Sequence, residues 1–292
     1  MAHGVVALVI VVLVPWKTMI VSRGMRRARA GRSLSVGLTV FTLASLATGL
    51  VLITGTVDFL GPFTTMQVHV AAGLGTVSLT LVHTLHRPVP HRRTDLNRRN
   101  LLRAGSLTVA GGAVWLATEG VIDLWGVRGG ERRFTGSHEI IAPEDVPATQ
   151  WINDPVQHLD VETHRVDVVG VNWSVAEISA AGDTVEATLD CTGGWFTTQT
   201  WNGTRLDRLL DAHSGRSIVV CSTTGYWRRF PLQEASELVL ATHMGGEPLR
   251  DGNGGPVRLV APGRRGYWWV KWVDRIEVDD QPPWWQPPLP TA

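Results

Sequence analysis

The sequence predicts a helical membrane domain of four spans followed by a β-rich α+β domain. Three observations carry this. Long runs free of charge fill the first half. The second half alternates short β-type runs with Gly, Asn, Asp and Pro turns. Charge divides at the same place: residues 1–128 hold 13 Lys+Arg against 4 Asp+Glu, and residues 129–292 hold 14 against 22, within a total of +1. The expected domains are therefore 1–128 and 129–292. A chain 44% hydrophobic is not a disordered one, and two cysteines in 292 residues are not a disulfide framework. The basic half is no nucleic-acid surface, because its arginines flank apolar runs.

Gly4 to Val21 is the first expected span, interrupted at Pro15-Trp16-Lys17, where Lys17 can snorkel to the interface. Ser33 to Gly55 is 23 uncharged residues and Met66 to Leu85 is 20, each long enough for a bilayer. Ala104 to Thr118, extendable to Leu124, is the fourth. The loops after the first and third spans are rich in arginine, whereas Thr56 to Thr65 holds only Asp58. The positive-inside rule puts both arginine-rich loops in the cytoplasm and everything after residue 124 outside. Within the second of those loops, Asn97-Arg98-Arg99-Asn100-Leu101-Leu102-Arg103 resembles a twin-arginine export signal, here internal. The plain alternative is two more positive-inside arginines.

His69 and His83 are 14 residues apart in the third span, on one helix face and about 21 Å from each other. Such spacing suits two b-type haems, each needing a second axial ligand from another helix. His3, Met19, Met25 and Met66 are the remaining soft candidates. The alternative places both histidines as tolerated polar residues near the helix ends.

In the second half, strands are expected at Val166–Val169, Thr184–Leu189, Ser217–Cys221, Leu238–Thr242, Val257–Val260, Tyr267–Lys271 and Arg275–Val278, with a short helix over Leu206–Ala212. The Pro- and Trp-rich tail 281–290 reads as an irregular strap. No nucleotide-binding glycine loop, serine elbow or His-Glu-x-x-His pair occurs. Cys221 ends an apolar run and reads as a structural thiol. Cys191 opens a turn, Cys191-Thr192-Gly193-Gly194-Trp195, where a bulky ligand has access and a thiolate suits a soft metal. A buried or disulfide-bonded cysteine is the alternative.

These segments resemble the sulfite oxidase family of molybdopterin enzymes. Cys191-Thr-Gly-Gly-Trp195 with Trp201-Asn-Gly-Thr-Arg-Leu206 is similar to its molybdenum–cysteine segment. Ser222-Thr-Thr-Gly-Tyr226 with Phe230-Pro-Leu232 is similar to the next. Asn253 to Pro262 and Gly266 to Ile276 resemble its closing segments. The resemblance covers roughly 130–290 and implies a mixed α/β domain around one molybdopterin, its metal held by the dithiolene and the Cys191 thiolate. It further implies that Asn253, Arg258 and Lys271 hold the pterin and its phosphate, that Tyr226 lies on the substrate side, and that Phe134 to His138 is an early pterin-contacting stretch. Arg258 suits a phosphate through its planar fork, and Lys271 is the sole lysine of this half. Family members follow the metal cysteine with an Asn-Arg-Arg-type run. Here it is Thr-Gly-Gly-Trp-Phe, which puts sulfite itself in doubt.

The expected function is oxygen-atom transfer on a small substrate at a Cys-ligated molybdenum. The protein would be anchored in a cytoplasmic membrane with its catalytic domain outside, and would exchange electrons with a membrane-embedded or extracytoplasmic carrier. The rival expectation is a non-catalytic haem-binding electron-transfer or docking subunit.

Overall fold

The computed structural model describes residues 2–25, 32–86, 97–150, 154–210 and 213–288. It divides into two compact units, Met1–His138 and Glu139–Ala292.

The first unit is built from α1 (Ala2–Met25), α2 (Arg32–Thr54), α3 (Thr65–His86) and α4 (Arg98–Leu124). Three helical stretches, Ser33–Thr54, Thr65–His86 and Arg98–Leu124, are long and apolar enough to cross a membrane. The apolar stretch found in α1, Ala2–Val14, is shorter. The three long helices are compatible with membrane insertion. Their large apolar side chains face outward: Leu74, Val77, Leu81 and Leu85 on α3 are 60–70% exposed. Such a stripe needs lipid or a partner. The hydroxyls of these helices turn back on their own backbone. Thr42, Thr48, Thr76 and Thr118 each donate to the carbonyl four residues earlier, at 2.7–2.9 Å, so these four hydroxyl hydrogens are not left bare in an apolar setting.

Helix pairs close on small residues. A Cβ at Gly75 would meet Phe41 Cδ1 at 2.5 Å where α3 lies on α2, and one at Gly4 would meet the Trp115 ring at 1.8 Å where α1 lies on α4. Glycine is what lets these backbones approach. A hairpin of β1 (Phe59–Leu60) and β2 (Phe63–Thr64) joins α2 to α3. Thr64 then caps α3: its hydroxyl accepts from Gln67 N at 3.1 Å while Gln67 Oε1 accepts from Thr64 N at 2.8 Å, a reciprocal cap at the helix start. Asn97 caps α4, accepting from Asn100 N at 2.9 Å. The paired Arg98-Arg99 therefore forms the first turn of α4.

Strand β3 (His138–Glu139) spans the boundary between the units. In the second unit, β4 (Arg165–Val168), β5 (Val171–Ser174), α5 (Val175–Ala180), β6 (Asp183–Asp190), β7 (Trp195–Arg205) and α6 (Leu206–Leu210) come first. Then follow β8 (Ser217–Ser222), β9 (Trp227–Pro231), β10 (Val239–Met244), β11 (Glu247–Pro248), β12 (Arg258–Val260) and β13 (Val273–Asp279). Antiparallel β6 and β7 form a long hairpin, and β10 pairs β7, β11 and β12. A second sheet runs β5-β4-β13-β8-β9, with β13 parallel to β4. The core is contributed by both sheets, with Trp201, Leu240, Leu259, Ile218 and Ile276 fully buried. The fold is thus the expected β-rich domain with short helices.

Six expected strands appear, with ends moved by one to two residues. Tyr267–Lys271 does not: Gly266–Trp268 is a 3-10 turn. The backbone there bonds across irregularly, with Leu259 N to Val270 O at 2.7 Å and Val273 N to Val257 O at 2.9 Å. Trp272 sits at φ +50, outside the extended region a strand needs. The expected helix over Leu206–Ala212 spans Leu206–Leu210, the last two residues lying outside the described ones.

Candidate active site

The β6–β7 hairpin carries Cys191 at its turn. Cys191 N donates to Trp195 O at 2.9 Å, and Gly193 N donates to the Cys191 Sγ at 3.4 Å. The chain therefore wraps around its own sulfur. The thiol is free and half-buried, which excludes a disulfide with Cys221. Gly266 lies against it: a Cβ there would come within 3.1 Å of the Cys191 Cα. Arg265 fixes the hairpin from beyond, its guanidinium 3.7 Å from the Asp190 carboxylate and 3.4 Å from the Cys191 carbonyl.

Two cations, one buried and one half-buried, share the field of this thiol. Arg258, first residue of β12, is 2% exposed. Its guanidinium donates to Asn253 O at 2.7 Å and lies over the rings of Trp201 and Trp269, 5.3 and 5.6 Å from their centres. Its Nε has no partner among the described residues. Lys271 Nζ donates to Gly252 O at 2.7 Å and Thr149 O at 2.9 Å. No described carboxylate forms an ion pair with either cation. Burial pulls the Arg258 guanidinium down to about 10, against the pull of the Cys191 thiolate. Burial, then the neighbouring Arg258, pulls Lys271 down to about 8, while Cys191 and Asp154 oppose it. These shifts record the cost of keeping like charges dry and adjacent.

The loop between β11 and β12 shapes this cradle. Gly254, at φ +97, lies so close to Lys271 that a Cβ would stand 2.9 Å from the lysine's own. Asn253 is 3% exposed and directs its amide toward Val146 O at 3.4 Å.

Tyr226 enters from the turn between β8 and β9. Burial raises its phenol, and Arg228 opposes that shift. The hydroxyl donates to the Tyr267 carbonyl and accepts from Arg228 Nε at 2.7 Å. Arg228 is 1% exposed, enclosed by the rings of Tyr226, Tyr267 and Trp268, and its Nη2 has no partner among the described residues.

Of the expected site residues, Cys191, Asn253, Arg258 and Lys271 come together, whereas the described partners of Tyr226 are Tyr267 and Arg228. His138 is counted with the first unit. Its described neighbours there are Gly55, Leu52, Asp58, Arg128 and Arg132. Burial lowers its imidazole pKa. Sequence reasoning missed Thr149, Asp154 and Arg265. None lies in a segment with a recognisable pattern, apart from Arg265 just before the Gly266 turn.

The site thus sets a half-buried thiol beside a buried guanidinium and a half-buried ammonium, neither of them ion-paired to a described carboxylate. Residues 153–285 match the family model of the oxidoreductase molybdopterin binding domain. Mitochondrial sulfite oxidase of Rattus norvegicus is 30% identical over 170 residues, covering 44% of this chain and 31% of that protein. The Homo sapiens enzyme is 29% identical over the same length. Nitrate reductase [NADH] 1 of Oryza sativa subsp. japonica is 30% identical over 129 residues, covering 38% of this chain and 12% of that protein. Among solved structures, the sulfane dehydrogenase SoxCD from Paracoccus pantotrophus matches at 23% identity and a TM-score of 0.41, covering 44% of this chain and 41% of that one. The C-terminal unit carries a molybdopterin-binding oxidoreductase domain similar to that of sulfite oxidase. The chain spans 31% of the length of the mitochondrial relatives.

Proposed function

We propose that the protein is a membrane-anchored molybdopterin oxidoreductase that transfers an oxygen atom to or from a small substrate at a molybdenum ligated by Cys191. The observation that carries this is the pair of cations, buried Arg258 and half-buried Lys271, neither ion-paired to a described carboxylate. Burying an unpaired cation costs several kcal/mol. A bound phosphate removes that cost, and the family's cofactor carries one. The donor set fits: one soft thiolate for the metal, one guanidinium fork and one ammonium for the phosphate, and the Asn253 amide for the pterin edge.

When bound, the cofactor supplies two-electron chemistry between Mo(VI) and Mo(IV). The chain's own groups do the rest. The backbone bonds from Trp195 and Gly193 hold the Cys191 sulfur in one orientation. Trp201 and Trp269 keep water from the Arg258 guanidinium. Tyr226 keeps its proton through the neutral range, because burial raises it, and so offers the substrate side a hydroxyl rather than a phenolate. The Thr192-Gly193-Gly194 turn brings no cation of its own, so positive charge near the substrate comes from Arg228. The reading does not use His138.

The membrane part of the proposal is four spans, α1 included, with both arginine-rich loops cytoplasmic and the catalytic unit outside. The internal twin-arginine pattern suits an outer domain that crosses already folded around its cofactor. Electrons reach or leave through a membrane-embedded or extracytoplasmic carrier. The test is metal and pterin analysis of the full chain purified from a cofactor-competent host. Molybdenum and pterin should appear together, about one each per chain, and both should be lost in Arg258→Ala and Lys271→Ala. A folded chain holding neither group would contradict the proposal.

A further inference from the structure

The two histidines expected to share one face of α3 have different surroundings. His83 lies toward the far end and its Nδ1 is buried without a described partner. His69 meets a second imidazole: the rings of His3 and His69 stand 6.0 Å apart, centre to centre, at 87°. His3 is the second residue of α1 and His69 the fifth of α3, so both lie within about one turn of the helix starts.

We infer that His3 and His69 are the two axial ligands of one b-type haem. The pair alone does not decide this, because plain ring contact spans about 4.5–7 Å. Two imidazoles on one iron would stand at about 6.5 Å, from metal–nitrogen bonds near 2 Å, so the separation is also that of a shared metal. Three further features favour ligation.

His69 Nδ1 is held 3.0 Å from the Ser45 carbonyl and 3.2 Å from the Thr48 hydroxyl. That carbonyl makes Nδ1 the protonated nitrogen and leaves the Nε2 lone pair for a metal. Metal-binding histidines are oriented in this way by their outer partners. Next, α2 makes room for the ring: a Cβ at Gly49 would lie 3.2 Å from His69 Cε1. Finally, no group of three or more His, Cys, Asp or Glu able to hold a metal occurs among the described residues. Two imidazoles cannot complete the four-ligand shell of a bare structural ion. They do complete a porphyrin iron, which brings four nitrogens and needs two axial ligands. The apolar surfaces of these helices suit the macrocycle.

The site differs from one haem on His69 and another on His83: it has one haem, and its second ligand is on α1. It stands apart from the molybdenum reading, since haem is read optically whether or not molybdenum is present.

The test is the reduced-minus-oxidised spectrum and haem content of the full chain in detergent, from haem-replete cells. The wild type should show a low-spin bis-histidine spectrum and one haem per chain. His69→Ala should lose it, and His83→Ala should keep it. His3→Met keeps a possible axial ligand, so it should retain haem with a shifted spectrum and a raised potential. Cys191→Ser should leave the spectrum unchanged, which separates the two proposals. Absence of haem from the wild type would overturn the inference, as would loss in His83→Ala with retention in His69→Ala, or an unshifted spectrum in His3→Met.

Discussion

Lys271 and Arg258 carry the electrostatic signature of the site. The unfolded chain keeps the Lys271 proton to its ordinary 10.5, whereas the fold releases it at about 8. Between those values the unfolded state binds more protons, so stability of the cofactor-free domain rises with pH across that window. Denaturant unfolding of the cofactor-free protein at about pH 7.5 and about pH 9.5 checks this. The native protein should gain stability at the higher value, and Lys271→Met should flatten the gain. Sulfate, which does not titrate there, should stabilise the cofactor-free protein at the lower pH and lose its effect as Lys271 deprotonates. The sequence marks Lys271 by its rarity and Cys191 by the glycines after it. It does not mark Arg228 as buried: an Arg-Arg pair on an alternating strand reads as one side chain in and one out, yet both are buried, at 1% and 7% exposure. Arg228 is covered by three aromatic rings and Arg229 pairs with Asp279, contacts that only the tertiary structure creates.

At the scale of elements, the loop from Asp251 to Pro256 places the cations. Gly254→Ala puts a Cβ where the Lys271 side chain stands and strains a φ of +97. The expected loss is about 1–3 kcal/mol, with a parallel fall in bound pterin, both measurable on one purified sample. Ser174→Ala is the contrasting case. It breaks the capping box of α5, in which Ser174 Oγ accepts from Glu177 N at 3.2 Å. It should cost about 1 kcal/mol and leave molybdenum and pterin content intact. The strands with alternating or β-branched runs were legible in the sequence. β9 and the second arm of the long hairpin, β7, were not, because their Trp, Arg, Gln and Asn residues lack a simple alternation. Tyr267–Lys271 shows the reverse error: an aromatic β-type run bends into a 3-10 turn to bring Lys271 under Gly254. The tail uses a side chain where a strand would use its backbone. Gln286 Oε1 accepts from Arg229 N at 3.1 Å and its Nε2 donates to Arg229 O at 3.0 Å, which occupies the open edge of β9.

At the scale of the whole molecule, the arginine distribution and the long apolar helices make one prediction about sidedness. A reporter active only outside the cytoplasm, fused after the last residue, should be active, and one that fluoresces only in the cytoplasm should be dark. The opposite pattern would reverse the topology. Arg98→Lys with Arg99→Lys keeps the charge but breaks the export-like pattern. If that pattern is used, the catalytic unit should accumulate on the cytoplasmic side while the helices still insert. Unchanged export would make the pair ordinary positive-inside arginines. The long apolar helices were legible because uninterrupted apolar length is a one-dimensional signal. The meeting of His3 with His69 was not, because it depends on which helices become neighbours.

The central claim is a bond between the Cys191 sulfur and molybdenum. X-ray absorption at the molybdenum edge, on the full chain and on Cys191→Ser, tests it most directly. The account predicts that the variant keeps its pterin and shows one sulfur neighbour fewer around the metal. An identical sulfur shell in both proteins would contradict it.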